Sequence, residues 1–299
     1  AKMSALETSN IGDIRAGSVV SNNTSSNNGV GFVFGNVAGN VIGNTATGNA
    51  FVGFEFNTIE AGGVVSHNMA SNNGACGFDF GDVDGTFSRN TSIGNDCNGF
   101  AFGDVGTTGN VSYNVARNNE DAGFYFDSVR GLFQNNQAIG NKLEGFDFLD
   151  VRMGGVVSGN LAQANHGPGF FFDDVRGTFT GNTANGNGDD GFNFLDVSST
   201  GVVSNNTAMG NAGNGFYLEE IRGTVTSNTA SGNFDDGFEF LDVNEGSFTF
   251  NTSSGNGDDG FDFRDVLPLS TFSNNTANNN GDLGYDGTNA GGTATNNTG

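Results

Sequence analysis

The chain has 299 residues, and its 33 acidic side chains against ten Lys plus Arg give a formal net charge of −23. A surface this acidic repels phosphate backbones and excludes nucleic acid as a partner, and no run of 18 apolar residues is present for membrane insertion by a helix. Fifty-one Gly, an Asn-rich remainder and no 3.6-residue apolar stripe exclude a helical protein, while 30 Phe are too many for a disordered chain.

Residues 1–30 are expected to form an irregular first coil. From Gly31 a Gly-Phe-x-Phe motif, or a close variant, returns with its glycine at Gly31, Gly53, Gly77, Gly99, Gly123, Gly145, Gly169, Gly191, Gly215, Gly237 and Gly260. The gaps alternate between 22 and 24 residues as far as Gly237, so the strict unit is a 46-residue pair of coils, and such a period signals a repeat architecture. Two Asn columns keep step with it. One stands nine residues before each glycine, from Asn22 and Asn44 through Asn275 to Asn297, and the other four before it, from Asn27 and Asn49 to Asn280.

Two Phe separated by one residue point to the same face of a strand, and 21 of the 30 Phe fill these two positions, so that face is the interior. Short strand-like runs such as GFDF, DV and GTFT or GVVS, with Gly or Asn at the corners, predict an all-β, right-handed parallel β-helix. It should have about 13 coils of 22–24 residues in a single domain over 1–299, with 284–299 an incomplete last coil. Corner Asn residues are expected in left-handed conformation, with their amides hydrogen-bonded from coil to coil. The Leu267-Pro268-Leu269 segment reads as a loop. No flat Thr-x-Thr array is expected on an outward face, which argues against a role at ice.

The pattern N-T-A-x-x-N-x-x-x-G-F, at Asn182 to Phe192 and Asn228 to Phe238, resembles the parallel β-helix repeats of the pectate-lyase-like superfamily. The resemblance covers about the whole chain and implies the fold. It leaves function open, because that superfamily includes polysaccharide lyases, hydrolases, epimerases, tailspikes, adhesins and non-catalytic surface proteins. No catalytic motif of those enzymes transfers onto these residues.

Candidate sites follow the columns. Cys76 and Cys97 fall almost one above the other in neighbouring coils, as a disulfide or as two buried thiols. An acidic column five residues after the glycine, Asp82, Asp104, Asp150, Asp174, Asp196, Glu220, Asp242 and Asp265, has Arg neighbours that predict a partial ion-pair ladder. A second acidic set, Asp189, Asp190, Asp235, Asp236, Asp258 and Asp259, has no basic partner in the repeat. No cofactor is required; calcium, where it binds, is expected there, and solvated turn acids are the alternative. Tyr125, Phe171 and Tyr217, between the paired Phe positions, form a candidate surface binding strip for a polysaccharide or a neighbouring chain. Of the Asn-x-Ser/Thr sequons, Asn205, Asn274 and Asn296 should face outward as glycosylation candidates. His67 and His166 lie about four coils apart, and paired carboxylates occur in nearly every coil, so no acid and base couple stands out.

A mean coil of about 23 residues divides the chain into a whole number of turns, which would bring Ala1 and Gly299 to one angular position as a polymer joint. The reading that follows is an extracellular or cell-surface structural β-solenoid that assembles head to tail with itself. The alternatives are a carbohydrate-active lyase or epimerase and a glycan-binding adhesin module.

Overall fold

The computed structural model describes residues 8–290, 293–295 and 297–299. Strands and turns make up all of it; no helix of the described residues is long and apolar enough to cross a membrane. Two compact units divide the chain, Ala1–Gly145 and Phe146–Gly299. Each is a parallel β-helix whose coil carries one six-residue strand and two three-residue strands.

In the first unit the long strands run from Ser9–Ile14 to Phe124–Val129, and in the second from Phe146–Val151 to Tyr285–Ala290, six and seven coils respectively. Within each unit, successive long strands pair in register, Phe78 with Phe54 and Phe192 with Phe170 for example, and the two short strands do the same in sheets of their own. The first coil is irregular at one place only among its described residues. Register shifts flank Gly12, whose φ is 76°, and Val19–Ser21 and Thr24–Ser26 then pair normally. The last coil has its long and second strands, but its third is reduced to a single bridge between Thr276 and Thr298.

The core is a stack of like residues. Phe34, Phe56, Phe80, Phe102 and Phe126 lie ring on ring at 4.5–4.7 Å, the strand spacing itself. The second short sheet adds Val or Phe, with Phe87 and Phe179 meeting the stacks edge-on, and the third sheet adds mostly Ala. The cross-section therefore tapers from two Phe to one Ala, and each fully buried Phe contributes about 1.5–3 kcal/mol.

Side-chain amides hold the corners. Asn182 N–H and Nδ2 both donate to Asn206 Oδ1, at 2.9 and 3.1 Å, while Nδ2 also donates to the Val157 carbonyl of the preceding coil. The same pattern joins Asn44 to Asn68 and Asn187 to Asn211. Two details differ from the sequence expectation. In the first coil the ladder members are Asn23 and Asn28 rather than Asn22 and Asn27, because that coil reaches Gly31 one residue sooner. The left-handed residue is the one before the ladder Asn: Asn22, His67, Arg89 and Asn205 have φ of 56–57°. A ladder Asn needs ordinary backbone angles to aim its amide along the stack, so the residue ahead of it takes the turn.

The motif glycine is fixed by crowding. A Cβ on Gly191 would lie 2.7 Å from both Asn211 Nδ2 and the Gly215 carbonyl and 2.9 Å from Ala208 Cβ. Cys76 and Cys97 are joined in a disulfide, with Cα atoms 4.5 Å apart. The Leu267–Leu269 segment is the expected turn; Ser270 beneath it is buried and donates to the Val243 carbonyl at 2.7 Å.

Replacing Asn206 by Ala strands the Asn182 donors and the Phe179 carbonyl inside the corner. The expected loss is about 2–4 kcal/mol, read as a lower denaturant midpoint; an unchanged midpoint would refute the ladder's role. Reducing Cys76–Cys97 should cost about 3 kcal/mol, seen as a lower melting temperature in dithiothreitol that a double Ser variant reproduces.

Candidate functional site

Outside the core, the second unit gathers the acids. The outward residue between the paired Phe positions is Asp147, Phe171, Asn193, Tyr217, Glu239, Asp262 and Asp286 in successive coils. Phe171 and Tyr217 therefore have Asn193 between them and do not touch as an aromatic strip. In the first unit Tyr125 pairs in register with Ala101. Each of the three is half-buried on the sheet face.

Farther along the strand, expected ion pairs are formed by Arg152, Arg176 and Arg222 among others. Arg152 pairs with Asp150 at 3.1 Å, Arg176 with Asp174 at 2.6 Å, and Arg222 with Asp196 and Glu220. Burial nonetheless raises Asp196 above the usual carboxylate range, against the pull of Arg222, and its Oδ1 is buried without a partner.

The second acidic set divides in two. Asp189, Asp235 and Asp258 are exposed, while Asp190, Asp236 and Asp259 are buried. The buried members belong to a third ladder, at the residue before the motif glycine, which sequence reasoning missed. Asn98 Oδ1 accepts the Ala122 N–H, Asp190 Oδ1 the Asn214 N–H, Asp236 Oδ1 the Asp259 N–H and Asp259 Oδ1 the Leu283 N–H. Asn214 fills the same place, its Oδ1 accepting the Asp236 N–H at 3.0 Å. A purely Asn column would have signalled this ladder; here Asn98, Ala122, Glu144, Pro168, Asp190, Asn214, Asp236 and Asp259 follow one another and conceal it.

The carboxylates of Asp236, Asp258 and Asp259 converge, as do those of Asp259, Asp262 and Asp286, each set within 4.8 Å. Asp189, Asp190 and Asp235 lie outside both sets. Asp262 and Asp286 are members the sequence did not suggest, because they come from the column on the other side of the glycine. Beside them Glu239, Asp262, Arg264 and Asp286 line a small pocket of about 160 Å³. An open groove of about 720 Å³ runs past Asn211, Asn233, Asp235 and Asp258, with Phe234 standing 75% exposed at its side. Neither histidine ring has a hydrogen-bonded partner among the described residues.

Asn205 and Asn274 sit at left-handed corner positions, Asn205 exposed and Asn274 half-buried, while the ladder sequons at Asn90 and Asn251 are buried. Asn296 and Ala1 lie outside the described residues. Gly299 is exposed, and a Cβ added to it would lie 2.8 Å from the Tyr285 ring.

Asp190 and Asp236 are each pushed up to about 7, first by burial and then by neighbouring carboxylates, partly offset by the backbone N–H each accepts. Between about pH 4 and 7 the folded state then holds protons that the unfolded chain has released. Stability is greatest at the acidic end of that window and falls as pH rises through 7. Asp236→Asn, which copies Asn214, should raise the melting temperature at pH 8 by the equivalent of about 1–3 kcal/mol. The difference should close at pH 5; a gap of equal size at both pH values would show that the Asp236 charge is not its source.

The sequence matches the model of the right-handed β-helix region over residues 13–153, 105–247 and 151–298. Among solved structures, the chain is similar to the A-module of mannuronan C-5 epimerase AlgE4 from Azotobacter vinelandii at 14% identity and a TM-score of 0.36, covering 96% of this chain and 91% of that one. It is also similar to tailspike protein 3 of bacteriophage CBA120, at 12% identity and a TM-score of 0.38, covering 97% of this chain and 56% of that one. The AlgE6 A-module of the same bacterium gives 12% identity and a TM-score of 0.29, with 98% and 89% covered. No curated protein sequence matches. With three overlapping matches spanning almost all of it, the chain belongs to the right-handed β-helix family.

Proposed function

We propose that this chain is a non-catalytic structural β-solenoid of an extracellular or cell-surface setting, which adds head to tail to further copies of itself. The observation that carries this reading is the polarity of the Asn ladders. From Asn to Asn along the two corner ladders the earlier coil's N–H and Nδ2 donate to the later coil's Oδ1, whereas the ladder before the motif glycine runs the other way. At the first described coil, Asn23 Oδ1 and Asn28 Oδ1 accept no hydrogen bond from any described residue. At the other end, Asn280 Nδ2 is buried without a partner, and the Asn297 N–H has no acceptor among the described residues. Donors at one end and acceptors at the other favour like-with-unlike contact, and open strand edges template such addition. Ala1 and Gly299 are the residues such a joint would bring together.

The Cys76–Cys97 bond supports an oxidising compartment. Outward Asn205 and Asn274 support glycosylation there. Calcium at Asp236, Asp258 and Asp259 would be an accessory that screens like charges rather than a requirement of the assembly.

A second reading, a polysaccharide lyase, epimerase or glycan-binding adhesin, has one specific observation behind it: Arg264 among Glu239, Asp262 and Asp286 in the small pocket. Burial and the two neighbouring acids raise Asp262 above the usual carboxylate range.

Electron microscopy at several protein concentrations, with and without a chelator, separates the two. Fibres with an axial repeat of about 13 × 4.8 Å, or ~62 Å, are expected, and Asn280→Ala should shorten them. Separate short rods at every concentration would overturn the structural reading. Turnover of a uronate polymer, lost in Arg264→Ala, would replace it with the second.

A further inference from the structure

Asn-Gly occurs eight times in the chain, at Asn28, Asn73, Asn98, Asn185, Asn187, Asn214, Asn256 and Asn280. In this dipeptide the glycine, lacking a Cβ, leaves its backbone nitrogen open to the amide carbon of the asparagine beside it. Attack closes a five-membered imide ring and needs two freedoms: a glycine N–H that is not already donating, and an amide that can swing round to meet it.

The fold withholds these freedoms at seven of the eight. Each following glycine there donates its N–H to a carbonyl of a neighbouring coil, as Gly74 does to Asn49, Gly215 to Asp236 and Gly257 to Asn233, at 2.8–2.9 Å. At six of them the ladders also pin the amide. Asn73, Asn187, Asn256 and Asn280 Oδ1 each accept from the corner Asn of the coil before, and Asn98 and Asn214 Oδ1 accept the Ala122 and Asp236 N–H. At Asn185 the restraint is the bond from the Gly186 N–H to the Met209 carbonyl, 2.9 Å. Asn28 has neither restraint. The Gly29 N–H donates to no described residue, because in later coils the carbonyl that receives it belongs to the coil before. Asn28 Oδ1 accepts nothing among the described residues, and its Nδ2 bond to Ser25 Oγ at 2.9 Å is what holds the side chain. Asn28 is half-buried and open to water, while Gly29 is buried. An imide nitrogen carries no hydrogen, so ring closure at Gly29 removes an unpaired donor instead of breaking a bond.

We propose that Asn28 is the site at which the folded chain modifies itself, by deamidation through an imide. The Gly29 nitrogen bonds to Asn28 Cγ and gives up its proton; the Cγ–Nδ2 bond breaks, and Nδ2 leaves with that proton as ammonia. Water then opens the ring at either carbonyl. The product is aspartate or, where the α-carbonyl is cut, isoaspartate, with the chain running through its side chain. Either product is a carboxylate that can accept as Oδ1 did but no longer donates to Ser25 Oγ, and it adds one negative charge to the first coil. Nothing in the step depends on assembly into fibres.

The test is to incubate the full chain at mildly alkaline pH, at a dilution where it sediments as single copies, and to follow every Asn-Gly peptide by mass spectrometry and isoaspartyl methyltransferase labelling. Asn28 should convert about tenfold or more faster than any of the other seven, since each of those must first give up a hydrogen bond between coils. The same chain in urea should convert all eight at similar rates. Asn28→Gln, whose ring would be six-membered, should leave the folded chain without its fast site. A second Asn-Gly that keeps pace with Asn28 in the folded chain overturns the proposal, as does an Asn28 that stays intact while the chain in urea converts. Fast labelling that persists in Asn28→Gln overturns it as well.

Discussion

Everything in this molecule rests on the side-chain amide that closes each corner. Sheet hydrogen bonds run out where a coil turns, and the turning backbone would otherwise leave its N–H and C=O groups buried and unpaired. Asn is suited to this place because one short side chain carries both an acceptor and two donors. Its Oδ1 receives the corner N–H of the coil before, while its Nδ2 reaches the coils on both sides, as Asn68 does with Asn90 and the Val41 carbonyl. The motif glycine follows from this, since the ladder Nδ2 occupies the space a Cβ would need. The Phe stacks follow too, because corners that repeat at the strand spacing bring rings to 4.5–5 Å in a nearly parallel overlap.

The features legible in the sequence were those with one residue type at one place. The paired Phe and the two Asn columns fixed strand, interior and coil number, because each position admits a single chemistry. Where several residues do one job, the pattern was hidden. The left-handed corner residue is Gly, His, Arg, Tyr, Ser, Phe or Asn in different coils, and only the Asn beside it repeats. The ladder before the motif glycine accepts Asn98, Asp190 and Asn214 alike. The acidic clusters required knowing that the columns on either side of Gly260 converge, which places Asp259 within reach of Asp262.

Charge in the second unit is separated by face. The long-strand face and the corner before the motif glycine hold the acids, and arginines such as Arg152, Arg176 and Arg222 pair with some of them. Burying Asp190 and Asp236 raises them to about 7 even though each accepts a backbone N–H. The neutral amide of Asn214 performs the same task without a charge. The acids are thus not needed for the ladder itself. They concentrate negative charge along one edge of the unit.

The direction of the ladders bears on function more than the fold does. A β-helix by itself is compatible with catalysis, adhesion or scaffolding, and an active site is usually where a scaffold departs from its own rule. Here the departures are small. Leu218 takes a Phe position, and the Leu267–Leu269 turn is longer, yet neither gathers a polar constellation. Unmet hydrogen-bonding capacity is found in the ladders, as a buried donor at Asn280 and acceptors at Asn23 and Asn28, and also on the strand faces, at Asn110, Asn193 and Asp196 Oδ1. A buried amide donor without a partner costs about 1–3 kcal/mol, and a further coil presenting an acceptor would recover it. The interaction that stacks coil on coil within each unit thus leaves its one buried, unmet amide donor at Asn280 among the described residues.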